Sequence, residues 1–231
     1  MSRSTLRGSA ITAEIRKAQA AAAAAPVDPK ASKKNAKDKA AAAAAAPKGA
    51  GEIRIIGGQW KRTRLPVAQR PGLRPTPDRV RETLFNWLGQ DLSGWRCLDA
   101  FAGTGALGFE AASRGAASVQ LVESDAALVA QLQVLKAKLQ ASAVRVQRGD
   151  GVSALKQATP ASLDLVLLDP PFDGPFFEPA LQAGAQAVAA GGFIYLEAPR
   201  AWADEELAAH GLALYRHLKA GAVHAHLLQR G

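Results

Sequence analysis

"RCLDAFAGTGALGFEAASR", from Arg96 to Arg114, decides the fold. An apolar run closes on an acid, Asp99, and a loop follows with Gly103, Gly105 and Gly108 in G-x-G-x-x-G spacing before a helical segment begins. Glycines so placed let the backbone approach a ligand closely and set a helix N-terminus against it. Alone the spacing is weak evidence, but the same texture continues downstream. "SVQLVES" (118–124), "AVRVQRG" (143–149), "LDLVLLD" (163–169) and "GGFIYLEA" (191–198) are further apolar strands, and "DAALVAQLQVLKAKLQ" (125–140) is a helix between the first two. Strand-helix alternation with nearly continuous apolar strands predicts a mostly parallel sheet with helices on both faces.

Ligands of such sheets bind beyond the carboxyl ends of the strands, so the residues there carry the functional information. The second strand ends at Glu123, 18 residues after Gly105. An acid there could accept both ribose hydroxyls of an adenosine. The third is followed by Asp150, where a carboxylate could receive an adenine amino group. One acid at a strand end is easily a surface residue, but recurrence over successive strands makes a nucleoside pocket the better explanation. NAD and S-adenosylmethionine both fit that pocket, and the glycines do not separate them.

"LDLVLLDPPFDG", Leu163 to Gly174, does separate them. After Asp169, neither Pro170 nor Pro171 has a backbone N–H, so the loop offers acceptors only. Pro171 biases Pro170 toward an extended backbone, which fixes the direction of the Pro170 carbonyl beside the Asp169 carboxylate. Phe172 adds a flat face. Two rigid acceptors and a stacking surface complement an exocyclic amine on an aromatic base. A dehydrogenase needs a group that polarises a carbonyl and takes up a proton, and this loop has neither a histidine nor a donor. Adenine N6, cytosine N4 and guanine N2 amines would all satisfy it.

Upstream, the chain is basic and changes character twice. Of the net charge of +9, residues 1–50 hold +7, residues 51–96 hold +5 and residues 97–231 hold −3. Basicity confined to the front of the molecule points to an anionic polymer met there. Residues 1–50 are low-complexity Ala, Lys and Pro and are expected to be a disordered tail. One folded domain is expected over 51–231, divided into a basic hairpin and connection at 52–75 and a Rossmann-like core at 76–231. "IRIIGGQWKRTRL" (53–65) predicts two short strands about a tight Gly57-Gly58 turn, with Trp60, Lys61, Arg62 and Arg64 on the second arm. Cations beside an aromatic suit phosphate contact and base stacking, and a charged, protected edge strand would look similar. In "GLRPTPDRVRETLFNWL" (72–88), Thr76 is placed to cap a helix, Pro77 to start it, and Val80, Leu84, Phe85 and Leu88 to form its buried face, with Arg79 and Arg81 on the rim.

The motifs taken together resemble a known family. "FAGTGALG" with "DPPF" is similar to the Rossmann-like methyltransferases that modify exocyclic amines. "RIIGGQWKRTRLP", "GLRPTPDRVRETLFNWL" and "CLDAFAGTGALGFEAASRGA" closely resemble the bacterial 16S rRNA guanine-N2 methyltransferase family. The resemblance runs from about Glu52 to Gln229, and residues 1–50 have no counterpart in it. It implies a Rossmann-like class I fold with a seven-stranded sheet, a preceding hairpin, and S-adenosylmethionine as cofactor. It also implies one guanine of 16S rRNA as substrate, within a small ribosomal subunit or an assembly intermediate. On the matching motifs, Asp169, Pro170 and Phe172 are the expected catalytic loop, and Asp99, Gly103, Gly105, Glu123 and Asp150 the expected cofactor contacts. Trp60, Lys61, Arg62, Arg64, Arg74 and Arg79 are the expected RNA contacts. An adenine-N6 methyltransferase of RNA or DNA is the nearest alternative. An NAD oxidoreductase and a non-catalytic RNA-binding assembly factor are alternatives of other classes.

The remaining features point to a cytoplasmic monomer without metal. The single cysteine, Cys97, lies in an apolar stretch and fits a small core residue in a reducing compartment. The longest alanine blocks fall far short of the ~20 residues of a membrane span, and the N-terminus has no apolar core of a secretory signal. His224 and His226 alternate on one face of a terminal strand and are expected to face solvent. The acids Asp204 to Glu206 read as a helix start, and Trp87, Trp95 and Trp202 as packing.

Overall fold

A computed structural model of the chain describes residues 51–67 and 76–231. The expected tail (1–50) and Arg74 lie outside the described residues. Two short antiparallel strands come first, β1 (Glu52–Arg54) and β2 (Arg64–Pro66), followed by helix α1 (Asp78–Trp87). The alternating part comprises β3 (Arg96–Asp99), α2 (Ala106–Ser113), β4 (Ser118–Glu123), α3 (Ala126–Leu139), β5 (Val144–Arg148), α4 (Gly151–Gln157) and β6 (Leu163–Leu168). It closes with α5 (Phe177–Ala187), β7 (Val188–Ala198), α6 (Asp204–Ala208), β8 (Leu212–Ala220) and β9 (Val223–Arg230).

The seven strands β3 to β9 form one sheet in the order β5-β4-β3-β6-β7-β9-β8. Strands β3 to β7 pair in parallel, and β9 runs antiparallel to both β7 and β8. This is the Rossmann-like, mostly parallel sheet that the alternation predicts. Side chains alternate across it with period two. Leu165, Leu167 and Tyr195 face a core built with α1, α2 and α3, whereas Val166, Leu168, Ile194 and Leu196 face one built with α4, α5 and α6. The chain reverses its direction of travel between β3 and β6, and the crevice at such a switch point is where an open sheet accommodates a ligand. Cys97 is buried in the first core, where burial pushes its thiol up to about 12, as a packing residue requires. Among the described residues no helix is long and apolar enough to cross a membrane.

The N-terminal hairpin departs from its predicted form. Its strands are three residues each, and the loop from Ile55 to Thr63 is closed by Ile55 N–H donating to Thr63 O and Arg62 N–H donating to Ile55 O. Gly57 and Gly58 are not a tight two-residue turn. Their backbone lies against the end of α2, where Gln59 N–H donates to Ser113 O at 2.8 Å and the Ser113 hydroxyl donates to Gly57 O at 2.6 Å. A Cβ on Gly58 would sit 1.7 Å from Ser113 O, so close approach to the helix demands glycine. Lys61 and Arg62 consequently lie in the loop, and of the expected basic arm only Arg64 is in the strand.

Two expectations about α1 also change. Val80, Leu84, Phe85 and Leu88 are buried as predicted, but Thr76 makes no cap; the helix begins after Pro77 without a side-chain cap bond. Arg81 is not on the rim. It is fully buried, with Nε donating to Thr76 O, and its guanidinium pairs with Asp78 at 2.6 Å and Glu110 at 3.4 Å. Glu110, at the middle of α2, also holds Arg114 at 2.9 Å and accepts the backbone N–H groups of Ile56 and Gly57, each at 2.8 Å. The expected solvent-facing histidines differ as well. His226 is buried with Nε2 3.3 Å from Trp202 N, and burial lowers its pKa to about 4; its neighbour in the stack is His217, whose Nε2 is 3.0 Å from His224 Nδ1. The chain turn after β7 folds Trp202 back over this strand, which is what covers it.

Removing Glu110 should therefore uncouple helix and hairpin together. Glu110→Ala leaves two buried guanidiniums without their common partner, and urea unfolding should show a loss of about 3–5 kcal/mol. Breaking the exposed Arg64–Glu52 pair by Glu52→Ala should cost under about 1 kcal/mol. Equal stabilities for the two variants would remove Glu110 from this role.

Candidate functional site

Register places three carboxylates on one face of the sheet at its carboxyl end. Asp99 pairs with Leu167, and Leu168 with Leu196, so Asp169 and Glu197 are the next residues of two adjacent parallel strands. Asp169 lies two residues beyond Leu167 and Glu197 two beyond Tyr195, on the side that those residues share. Asp99 is fully buried. Its Oδ2 accepts Gly108 N–H at 3.1 Å, while Oδ1 is buried with no partner among the described residues. Burial pushes this carboxyl up to about 7.

The glycine loop packs against β4. Gly103 N–H donates to Glu123 Oε2 at 2.9 Å, and the other oxygen of Glu123 accepts Asp125 N–H at 2.8 Å. Glu123 thus stands at the loop, as the sequence predicts, with one oxygen already committed to it. Gly105 caps α2 in the left-handed conformation (φ +78°), and a Cβ there would come within 2.6 Å of Leu132 and Phe109. The helix N-terminus can only reach the crevice with glycine at this point. Asp150 is exposed and caps α4, its Oδ1 accepting Ser153 N–H at 2.7 Å. Its second oxygen accepts no hydrogen bond among the described residues, so the cap does not exhaust it.

The Asp169 loop closes the crevice from the other side. Pro170 is buried and Phe172 is 40% exposed, with its ring 6.2 Å from that of Phe177. Burial, then the neighbouring Glu197 and Asp99, hold the Asp169 carboxyl well above the ordinary carboxylate range. Glu197 is raised by burial, and its Oε1 accepts the Tyr195 hydroxyl at 2.9 Å. Thr76 is buried beside these two acids rather than capping α1, and its hydroxyl lowers the pKa of both, against the larger upward effect of burial.

The basic residues gather less tightly. Trp60 is half-buried against the core, Lys61 and Arg62 are exposed at the loop tip, and Arg64 is paired with Glu52 at 2.8 Å. Arg79 is exposed on α1. Sequence reasoning missed Thr76, Tyr195 and Glu197 as site residues and Glu110 as an anchor. The signal for Glu197 was present: "FIYLEA" ends an apolar strand on an acid, as "LDLVLLD" does. Glu110 announces itself only as a lone acid inside an otherwise apolar helix, and the sequence does not show what it meets.

A family model described as conserved hypothetical protein 95 matches residues 53–229, and the chain belongs to that family. The ribosomal RNA small subunit methyltransferase D of Escherichia coli (strain K12) is 54% identical over 125 residues, 54% of this chain and 62% of the relative. The protein of the same name from Haemophilus influenzae is 47% identical over 131 residues, 54% of this chain and 67% of the relative. The match thus spans a little under two thirds of the E. coli relative's length. A solved structure, a putative methyltransferase yhhF from Escherichia coli, is 42% identical with a TM-score of 0.65, covering 78% of this chain and 98% of that one.

The buried Asp99 has a measurable consequence. An unfolded aspartate titrates near 3.8, whereas the folded one holds its proton to about 7. The folded state therefore binds more protons over that interval, and stability falls as pH rises through it, by up to about 1.4 kcal/mol per pH unit from this group. Asp99→Asn should flatten the slope between pH 4 and 7 in urea-unfolding titrations and be relatively more stable at pH 8. An unchanged slope would show that Asp99 is ionised across the range.

Proposed function

We propose that this chain transfers a methyl group from S-adenosylmethionine to the exocyclic N2 amine of a guanine in 16S rRNA. The observation that carries the reading is the acceptor-only Asp169-Pro170 loop standing at the switch point, opposite the glycine loop and beside Asp99. The names of its relatives supply rRNA as the substrate class. The long N-terminal motifs support guanine over adenine, which the loop chemistry alone leaves open.

The residues present fit the cofactor. Asp99 Oδ1 is a buried acceptor without a partner, and Glu123 and Asp150 add acceptors along the crevice. An adenosyl amino acid offers a matching set of donors in its ammonium, its ribose hydroxyls and its adenine amine. Gly103 and Gly105 both take the left-handed backbone (φ +52° and +78°) that brings the loop round to the helix N-terminus, and Leu132 and Phe109 leave no room for a side chain at position 105. When bound, S-adenosylmethionine supplies a methyl carbon made electrophilic by its sulfonium.

The protein's part is to make the amine nucleophilic and to align it. An arylamine lone pair is delocalised into the ring until acceptors draw the nitrogen toward a pyramidal geometry. Asp169 and the Pro170 carbonyl are those acceptors. They hold the developing cationic nitrogen more strongly than the neutral amine, which is the difference in binding that lowers a barrier. Phe172, exposed at the mouth, offers a face on which a base taken out of its stack can rest. Trp60, Lys61, Arg62, Arg64, Arg74 and Arg79 would receive the phosphate backbone, and unpaired positions in a small subunit or its assembly intermediate are the accessible ones. We place the enzyme, as a monomer, in the cytoplasm where such particles form, with the basic tail (1–50) as an additional electrostatic arm.

Incubation with methyl-labelled S-adenosylmethionine should put label into N2-methylguanosine of small-subunit particles that lack the modification. Recovery as N6-methyladenosine would overturn the base assignment, and no transfer to any nucleic acid would overturn the activity. Asp169→Ala should slow single-turnover transfer at least 10- to 150-fold, the worth of one charge-assisted hydrogen bond of ~1.5–3 kcal/mol, while cofactor affinity changes little. Replacing Lys61, Arg62 and Arg64 together should lower the salt slope of RNA binding by roughly 2, at about 0.7 per single-stranded phosphate contact. An unchanged slope would make the hairpin a protected edge only.

A further inference from the structure

Methyl transfer to an amine leaves a proton to be placed, and the site has an unused acid behind Asp169. Glu197 is 4% exposed, lies next to Asp169 across the β6–β7 register, and is held by the Tyr195 hydroxyl at 2.9 Å. The Thr76 hydroxyl, buried beside them, acts on each carboxyl as a donor does and lowers its pKa, but one hydroxyl has a single hydrogen to give. Two acids set side by side in a buried place, with so little to offset their repulsion, favour one proton held between them.

We propose that Glu197 is a positioning residue that shares with Asp169 the proton released by the methylated nitrogen, with the Tyr195 hydroxyl holding Glu197 from behind. The inference rests on the methyl-transfer reading of Asp169. In the step, the nitrogen forms its bond to the methyl carbon, the carbon–sulfur bond breaks with its electron pair passing to sulfur, and the cationic nitrogen gives one proton to Asp169. Sharing with Glu197 keeps that proton off the product amine until the base departs, after which it leaves to solvent. The pair must enter the cycle without the proton.

The electrostatic surroundings favour such a shared state. Both acids titrate above the ordinary range, chiefly through burial and, for Asp169, the nearby Glu197. Asp99 on β3 faces them, with Glu123 of β4 beside Asp99. From β9, Ala225 and Leu227 lie opposite Glu197 and Tyr195 and carry no charge, and His226 belongs to the other face. The guanidinium on α1, Arg81, is committed to the Thr76 carbonyl, Asp78 and Glu110. Two adjacent carboxylates in such a place hold their last proton more tightly than either would alone.

The test is the pH dependence of single-turnover methyl transfer by the full chain on small-subunit particles. In Glu197→Gln, which keeps the shape but removes the like charge, the acid limb should move down by about one pH unit. Glu197→Asp should keep the limb near that of the wild type. Tyr195→Phe takes away a hydrogen bond that stabilises the Glu197 anion, so its limb should move up, and this variant carries the test if Glu197→Gln does not fold. Infrared titration of the protein alone, in the Asp99→Asn background, should show a protonated-carboxyl band that persists toward neutral pH and disappears at lower pH once Glu197 is Gln. An acid limb and band unmoved in Glu197→Gln would overturn the sharing, even with Asp169→Ala inactive. An Asp169→Ala variant of normal rate would instead overturn the site reading itself.

Discussion

A buried carboxylate, Glu110, sets the position of everything in front of the sheet. Its two oxygens meet Arg81 of α1, Arg114 at the end of its own helix, and the backbone N–H groups of Ile56 and Gly57 in the hairpin loop. A charge in the interior is costly unless it is paired and hydrogen-bonded, and here every lone-pair direction has a use. The same acid therefore ties three separate chain segments to one helix. Because Arg81 also binds the Thr76 carbonyl, the anchor reaches the roof of the site through a single side chain. The interaction supports specificity of arrangement more than bulk stability, since an apolar cluster of like volume would hold the segments as firmly without fixing their register.

The sheet does the complementary work. Parallel register sets Asp169 and Glu197 side by side with Asp99 two residues below them, and alternation sends all three to one face. No loop flexibility is needed to assemble them. The glycine loop and the Asp169 loop then differ in what they can offer: the first ends at a helix N-terminus with donors, the second has proline where donors would be. In the proposed reaction a ligand carrying donors toward Asp99 and Glu123, and a second partner carrying an amine toward Asp169, would meet at the switch point between them.

Much of this was legible because period and strand-end chemistry are local. Five strands, two of the helices between them, and the acids Asp99, Glu123, Asp150 and Asp169 follow from a stretch of sequence read by itself. What escaped was non-local. Thr76 looks like a cap because Thr-Pro before a helix usually makes one, but it lies buried near two acids about a hundred residues away. Arg81 falls at the border of an apolar helical face, where exposure is the ordinary outcome; only Glu110 on another helix makes its burial tolerable. Gly57-Gly58 reads as a turn because the pair suits one, while the real constraint is the carbonyl of Ser113. His226 alternates with His224 as expected, but the turn that covers it comes from the segment around Trp202.

The two ends of the sheet treat their charges in opposite ways. At the amino end, Asp164 of β6 accepts from the backbone and guanidinium of Arg96 at 2.8 and 2.9 Å, and those bonds hold its carboxyl below the usual range. That acid stabilises the fold as an anion, at a place open to water. At the carboxyl end of the same strand, Asp169 is held above the usual range by burial and by its acidic neighbours. Folding alone would favour replacing it with an apolar residue, or pairing it as Asp164 is paired. A carboxylate kept where its charge is costly gains from any partner that brings a positive charge or a proton, and a nitrogen becoming cationic brings both. The strain stored at this end of β6 is thus relieved by the transition state of the chemistry proposed for it, which is the direction in which an active site should be strained.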